Sequence, residues 1–326
     1  MLCYWGAVDL SQRQRVAGIT YTNNDIQPIF SFKGDQTVVT KSALYGSGIK
    51  YWLDLSNSKL NHKNILEDPQ LLSFLDSLID SQVSTPSLTD TEPVQLGNRL
   101  HLSVHSPVSI GVYNSQGNFT GKVCDDVTLI CNIIEDIPGS TYFEFGEGKY
   151  VNLGQGNLQK AVLIGTDVGT FTFESQVVTP DGTSNISSFI DIPVTTQTQA
   201  EITINQTSGI PQLKLDVTGD GMTDFTLAPS AVFDPITYLQ IMKTTIDSLD
   251  ITSAKKKAFG SRIDNAIKLI QKGKIDKAKL RADKFKSVLE KVISKPDPKK
   301  PKPKKLSKTD AQLLLDMLNQ LLDNIS

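Results

Sequence analysis

The chain has 326 residues, with 33 Lys and Arg against 35 Asp and Glu and a formal net charge of −2. That length suits two or three domains, and no apolar run approaches the ~20 residues of a membrane-spanning helix. Cysteine is scarce, and Cys3, Cys124 and Cys131 lack the spacing of metal ligands. The charge is unevenly spread: from Ala254 to Lys308 there are 20 Lys and Arg against 5 Asp and Glu, a local +15 that leaves −17 elsewhere. Such asymmetry marks a separate interaction region.

Met1 to Asp25 has weak periodicity, with Gly18-Ile19-Thr20-Tyr21 its one strand candidate. Ile29 to Phe32 fits a short buried strand, which Gly34-Asp35 then breaks, placing a carboxylate at its C-terminal end. A second strand candidate, Ile49 to Leu55, runs into a polar loop ending at His62. Asp68-Pro69 then predicts an N-capped helix to about Asp80, with Phe74, Leu75, Leu78 and Ile79 on its apolar side. Strand, Asp loop, strand, His loop and helix is the closing order of an α/β-hydrolase, in which Ser, Asp and His follow one another along the chain.

The stretch Gly34-Asp35-Gln36-Thr37-Val38-Val39-Thr40-Lys41-Ser42-Ala43 also resembles the "GDGTVP…SA" acid motif of lipases related to lecithin:cholesterol acyltransferase and GPI inositol-deacylase. It departs from that motif at Gln36, where Gly is usual, and at Val39, where Pro is usual. The resemblance implies Asp35 as the triad acid and His62 as the base, with a lipid or ester substrate in the full-length parent. No Gly-x-Ser-x-Gly nucleophile motif occurs in the chain. On this reading it is the C-terminal part of a secreted or surface lipase, lacking its nucleophile and inactive alone. The alternative is a non-catalytic extracellular adhesion or spacer protein.

The expected organisation is therefore a hydrolase piece over 1–82, a Ser/Thr/Pro-rich linker over 83–93, a β-sandwich over 94–228 and a helical domain over 229–326. Many short alternating strands separated by Gly, Asp and Asn turns predict an antiparallel sandwich, immunoglobulin-like in outline. His101 and His105 share one face of a strand, read as the solvated one. At ~3.3 Å per residue they lie too far apart for a joint metal site. Cys124 and Cys131 flank a hairpin and are read equally as a small disulfide or as two free thiols.

The loop Asp216-Val217-Thr218-Gly219-Asp220-Gly221-Met222-Thr223-Asp224 carries oxygen side chains at positions 1, 3, 5 and 9 and Gly at 6. That pattern matches the first part of a calcium loop, with Asp216, Thr218, Asp220 and Asp224 as ligands of a structural Ca²⁺. Two departures stand against it: Thr218 replaces Asp or Asn, and Leu227 replaces the Glu of position 12. The same residues also suit an Asp/Gly-rich hairpin turn with no ion.

Asp234-Pro235, Thr252 and Ser307 with Asp310 predict three helix N-termini, and Gly273 a helix stop. Apolar stripes then predict a small α-helical bundle, crossed by an extended Pro/Lys loop over 295–305. It resembles helical modules appended to bacterial cell-surface proteins. The basic helices point to an anionic cell-surface polymer or membrane surface. Specific nucleic-acid binding is not expected, because no aromatics interleave the basic run; Phe259 and Phe285 fall on the apolar stripes.

Overall fold

The computed structural model describes residues 2–5, 13–16, 19–22, 28–31, 50–53, 64–80, 88–89, 91, 97–105, 107–125, 128, 130–154, 158–180, 184–204, 211–295 and 305–325. The chain falls into two compact units, residues 1–97 with 138–141, and residues 98–137 with 142–326.

In the first unit, β1 (Leu2–Trp5) pairs antiparallel with β4 (Pro28–Ser31), and β2 (Arg13–Val16) pairs antiparallel with β3 (Ile19–Thr22). Helix α1 (Pro69–Ile79) opens on Asp68, whose Oδ1 accepts from the backbone N–H groups of Gln70 and Leu71 at 2.8 and 2.9 Å. That cap satisfies donors the first turn leaves without intrahelical partners. Phe74 is buried and its ring lies 4.7 Å from that of Tyr51.

These pairings overturn the α/β-hydrolase expectation. Such a fold needs neighbouring parallel strands joined by crossover helices. Here β4, expected to lead into a catalytic acid, sits antiparallel against β1. Among its described residues, 50–53, the second expected strand shows an antiparallel bridge, Trp52 to Thr89, in place of a parallel neighbour. The described chain is mostly β, in antiparallel sheets with five helices. Asp35 and His62 lie outside the described residues.

The second unit begins with β5 (Arg99–His105), β6 (Val108–Tyr113), β7 (Phe119–Cys124), β8 (Cys131–Glu135), β9 (Thr141–Phe145) and β10 (Gly148–Gly154). It continues with β11 (Lys160–Gly165), β12 (Gly169–Val178), β13 (Ser184–Val194), β14 (Gln199–Ile204), β15 (Pro211–Asp216) and β16 (Phe225–Leu227). A five-stranded sheet has the order β13-β12-β5-β10-β9, and a seven-stranded sheet the order β16-β15-β14-β11-β6-β7-β8. The immunoglobulin outline does not hold. That fold divides seven strands four and three, whereas here hairpin-linked strands extend both ends of the larger sheet.

One core joins the two sheets. Leu100, Leu102, Val104, Val151 and Phe173 from the smaller sheet meet Ile110, Val112, Leu163, Ile202 and Leu213 from the larger. Period-two alternation drives this: β12 buries Phe171, Phe173, Ser175 and Val177 while the residues between them are half-exposed. Gly111 and Gly121 pair across β6 and β7 beneath the ring of Phe119. A Cβ at either would sit within 2.7 Å of that ring, so only glycine fits there.

Four helices complete the unit: α2 (Pro235–Ser248), α3 (Ser253–Gln271), α4 (Ile275–Ile293) and α5 (Lys308–Asn324). Asp234, Thr252 and Ser307 cap α2, α3 and α5, the last through a reciprocal capping box with Asp310. Gly273, at φ 65°, turns the chain from α3 into α4, where a side chain would be strained. Each helix buries one stripe in a second core of Tyr238, Met242, Ile246, Ile263, Phe285, Leu289, Leu314 and Leu318. Ile241 of α2 belongs instead to the core between the sheets, so the helices are seated on the β part.

Candidate functional site

The outer surface of α3 and α4 is cationic by construction. On α4, Ala278, Ala282, Phe285 and Leu289 face the core at intervals of three and four residues. Lys277, Lys284 and Lys291 recur every seventh residue and are exposed. At 1.5 Å per residue this makes a column of charges roughly 10 Å apart. Asp276, Asp283 and Glu290 each precede one of those lysines by one residue. They therefore form a separate column about 100° further round the helix. Arg281 projects on the lysine side, away from the acids, and is exposed, as is Lys295 just beyond the C-terminal end of α4.

None of these cations makes an ion pair with a described residue; the ion pairs among the described residues join Lys122 to Glu144, Lys160 to Glu201 and Lys243 to Asp264. Across the α3–α4 seam, the Arg262 guanidinium lies 5.7 Å from the centroid of the Phe285 ring. That holds one exposed charge against the core by a cation–π contact. Lys286, on the opposite flank of α4, donates to Asn319 of α5 at 2.8 Å. The two flanks of α4 thus differ: one packs and hydrogen-bonds, the other presents charge.

The loop after β15 is a network of its own backbone. Asp216 Oδ1 accepts from the N–H groups of Thr218 and Gly219, at 3.1 and 2.7 Å, and Oδ2 accepts from Gly221 at 2.8 Å. Asp220 accepts from Met222 at 2.8 Å, and Asp224 accepts from Val217 at 2.8 Å. Gly219 and Gly221 supply the positive φ values of 73° and 82° that the turn requires. Among the described residues, no group of three His, Cys, Asp or Glu side chains is arranged to hold a metal ion. Oxygens aimed at amides are those of an Asx-type turn, and Thr218 brings only a hydroxyl to the set.

His101 departs from the solvated reading. It is 7% exposed, and its Nδ1 is hydrogen-bonded to Oδ1 of Asn152, which stands opposite it on β10. The Tyr150 ring stacks at 6.0 Å, and burial lowers the imidazole pKa to about 4, against the opposing Asn152 bond. His101 is therefore neutral at pH 7 and serves as a packed hydrogen-bonding group. Cys124 and Cys131, opposite each other on β7 and β8, are joined in a disulfide.

Two features were missed in sequence. Arg262 meets Phe285 only because α3 and α4 fold back on each other. Asp191 lies at the junction of β13 with α2, signalled in sequence only by an acid between two isoleucines, Ile190 and Ile192. No family model, curated protein or solved structure matches this chain.

Proposed function

We propose that this chain is a non-catalytic protein of the cell exterior, an adhesion or spacer element, whose α3–α4 face binds a linear anionic polymer. The observation that carries the reading is the segregated column Lys277, Lys284 and Lys291 with Arg281 and Lys295, exposed and without ion-pair partners among the described residues. Charges repeating along a rigid helix match the repeating anions of a chain better than a single anion. An anionic membrane fits less well, because a helix lying in a bilayer surface needs a free apolar face. The apolar stripes of α3 and α4 are already occupied by the helical core. Nucleic acid fits less well too, since Phe259 and Phe285 are buried and offer no stacking platform. The Cys124–Cys131 disulfide supports an oxidising compartment.

The test is retention of the full chain on immobilised heparin, a model linear polyanion. Lys277→Glu/Lys284→Glu/Lys291→Glu should elute at much lower salt than the parent while keeping its helical circular dichroism. Equal elution of the two proteins would remove this face from the account, and preference for anionic vesicles over heparin would shift the reading to a membrane.

A further inference from the structure

Between β13, the segment after β16 and the start of α2 lies a cavity of about 230 Å³. Its floor is apolar and buried, formed by Phe189, Ile192, Tyr238 and Ile241, while Thr226, Ala228, Ser230 and Val232 form an exposed rim. At the ~30 Å³ that a water occupies in the liquid, this volume suits one small organic group. Two carboxylates line it, Asp191 and Asp234, and no Lys, Arg or His does.

The two acids differ in what they already do. Asp234 caps α2, with Oδ1 accepting from the Ile236 N–H at 2.9 Å and Oδ2 from the Thr237 hydroxyl at 2.6 Å. Among the described residues, the carboxylate of Asp191 receives no hydrogen bond and no ion pair. Its backbone N–H donates to the Thr172 hydroxyl at 3.2 Å, across a register shift in the β12–β13 pairing. The nearby Tyr238 hydroxyl is directed elsewhere, donating to the Met317 carbonyl at 2.9 Å and to Gln320 at 3.1 Å. Asp191 is also the one non-glycine residue at positive φ among those described, at 52°. Asp is among the non-glycine residues that adopt this conformation most readily.

We propose that this cavity binds a primary ammonium carried on a short alkyl chain, the ammonium pairing with Asp191 and the chain lying on the apolar floor. A small carboxylate-lined pocket with an apolar body is complementary to that chemistry and not to an anion or a neutral polar group. Desolvation raises the Asp191 pKa above its ordinary value. The ammonium has two sources, a free alkylamine or the lysine side chain of a peptide.

The experiment is a thermal-shift titration of the full chain at constant ionic strength with n-butylammonium, Nα-acetyl-lysine methylamide and neutral 1-butanol. At least one ammonium should raise the melting temperature in a saturable way, and 1-butanol should not. A response to butylammonium alone identifies a free amine, and one to the lysine amide a peptide side chain. Asp191→Asn should weaken that response about tenfold or more, the contribution of one charge-assisted hydrogen bond. Asn is tolerated at positive φ, so this variant keeps the strand geometry. Ala228→Trp, a bulky group at the exposed rim, should block entry independently. No shift with either ammonium, or an equal shift in both variants, overturns the proposal.

Discussion

The Tyr238 hydroxyl of α2 donates to the Met317 carbonyl of α5 at 2.9 Å, across 79 residues of sequence. This bond closes the helical part, because α2 leaves the β sheets first and α5 is the last helix. The phenol is buried and held protonated, its pKa raised first by desolvation and then by the charge of Asp191. Tyr238→Phe keeps the packing and deletes the donor, so the tie from α2 to α5 is lost while the Met317 carbonyl, in mid-helix, keeps its intrahelical amide partner. The substitution should cost about 1–2 kcal/mol, seen as a drop of roughly 2–8 °C in melting temperature. An unchanged melting curve would mean water replaces the phenol.

Stability should depend on pH through His101. Its pKa in the folded state, about 4, lies below the ordinary 6.5, so folding favours the neutral ring. The contribution is complete above pH 6.5 and is lost as pH falls towards 4, where protonation of the unfolded chain draws the equilibrium away from the fold. The loss should approach about 3 kcal/mol, measured by urea unfolding between pH 7 and 4. His101→Gln should flatten that slope, and an equally steep slope in the variant would assign it to other groups.

Asp216 should matter with or without an ion. Asp216→Ala releases the amides of Thr218, Gly219 and Gly221 and should cost on the order of 2 kcal/mol with chelator present. Calcium is tested on the same samples, since an ion bound only by the folded loop raises the melting temperature by linkage. A rise with millimolar Ca²⁺ that Asp220→Ala abolishes would identify an ion ligand. Coincident curves would leave the carboxylates as turn formers.

The Cys124–Cys131 bridge closes a loop of sequence separation 7 at the edge strand β8. The loop-closure model gives about 2–3 kcal/mol for so short a ring. The double Cys→Ser variant should be less stable by that amount in denaturant unfolding, and no difference would show that β7 and β8 pair well enough without it.

What was legible in sequence was local chemistry. Asp68, Asp234, Thr252 and Ser307 act through amides two or three residues away, so each cap is visible in a short window. Strand pairing is not local. The order of strand, Asp loop, strand, His loop and helix left open whether neighbours run parallel. The partner that decides it, β1, lies in a stretch without clear periodicity. His101 fails similarly: alternation along β5 separates two faces, but the strand is buried on both. The lysine column on α4 follows from helical geometry once the helix is granted. The Asp191 cavity does not, because its walls come from β13, the chain after β16 and α2.

The most direct measurement of the central claim is the affinity of the full chain for a linear polyanion as a function of salt, by isothermal titration between 50 and 500 mM NaCl. Exposed charges roughly 10 Å apart are about one Debye length from one another at 0.1 M salt, so the affinity should fall steeply and linearly on a double-logarithmic plot. Lys277→Glu/Lys284→Glu/Lys291→Glu should lower both the affinity and the slope. An affinity that ignores salt, or a triple variant that binds like the parent, would contradict polyanion binding by this face.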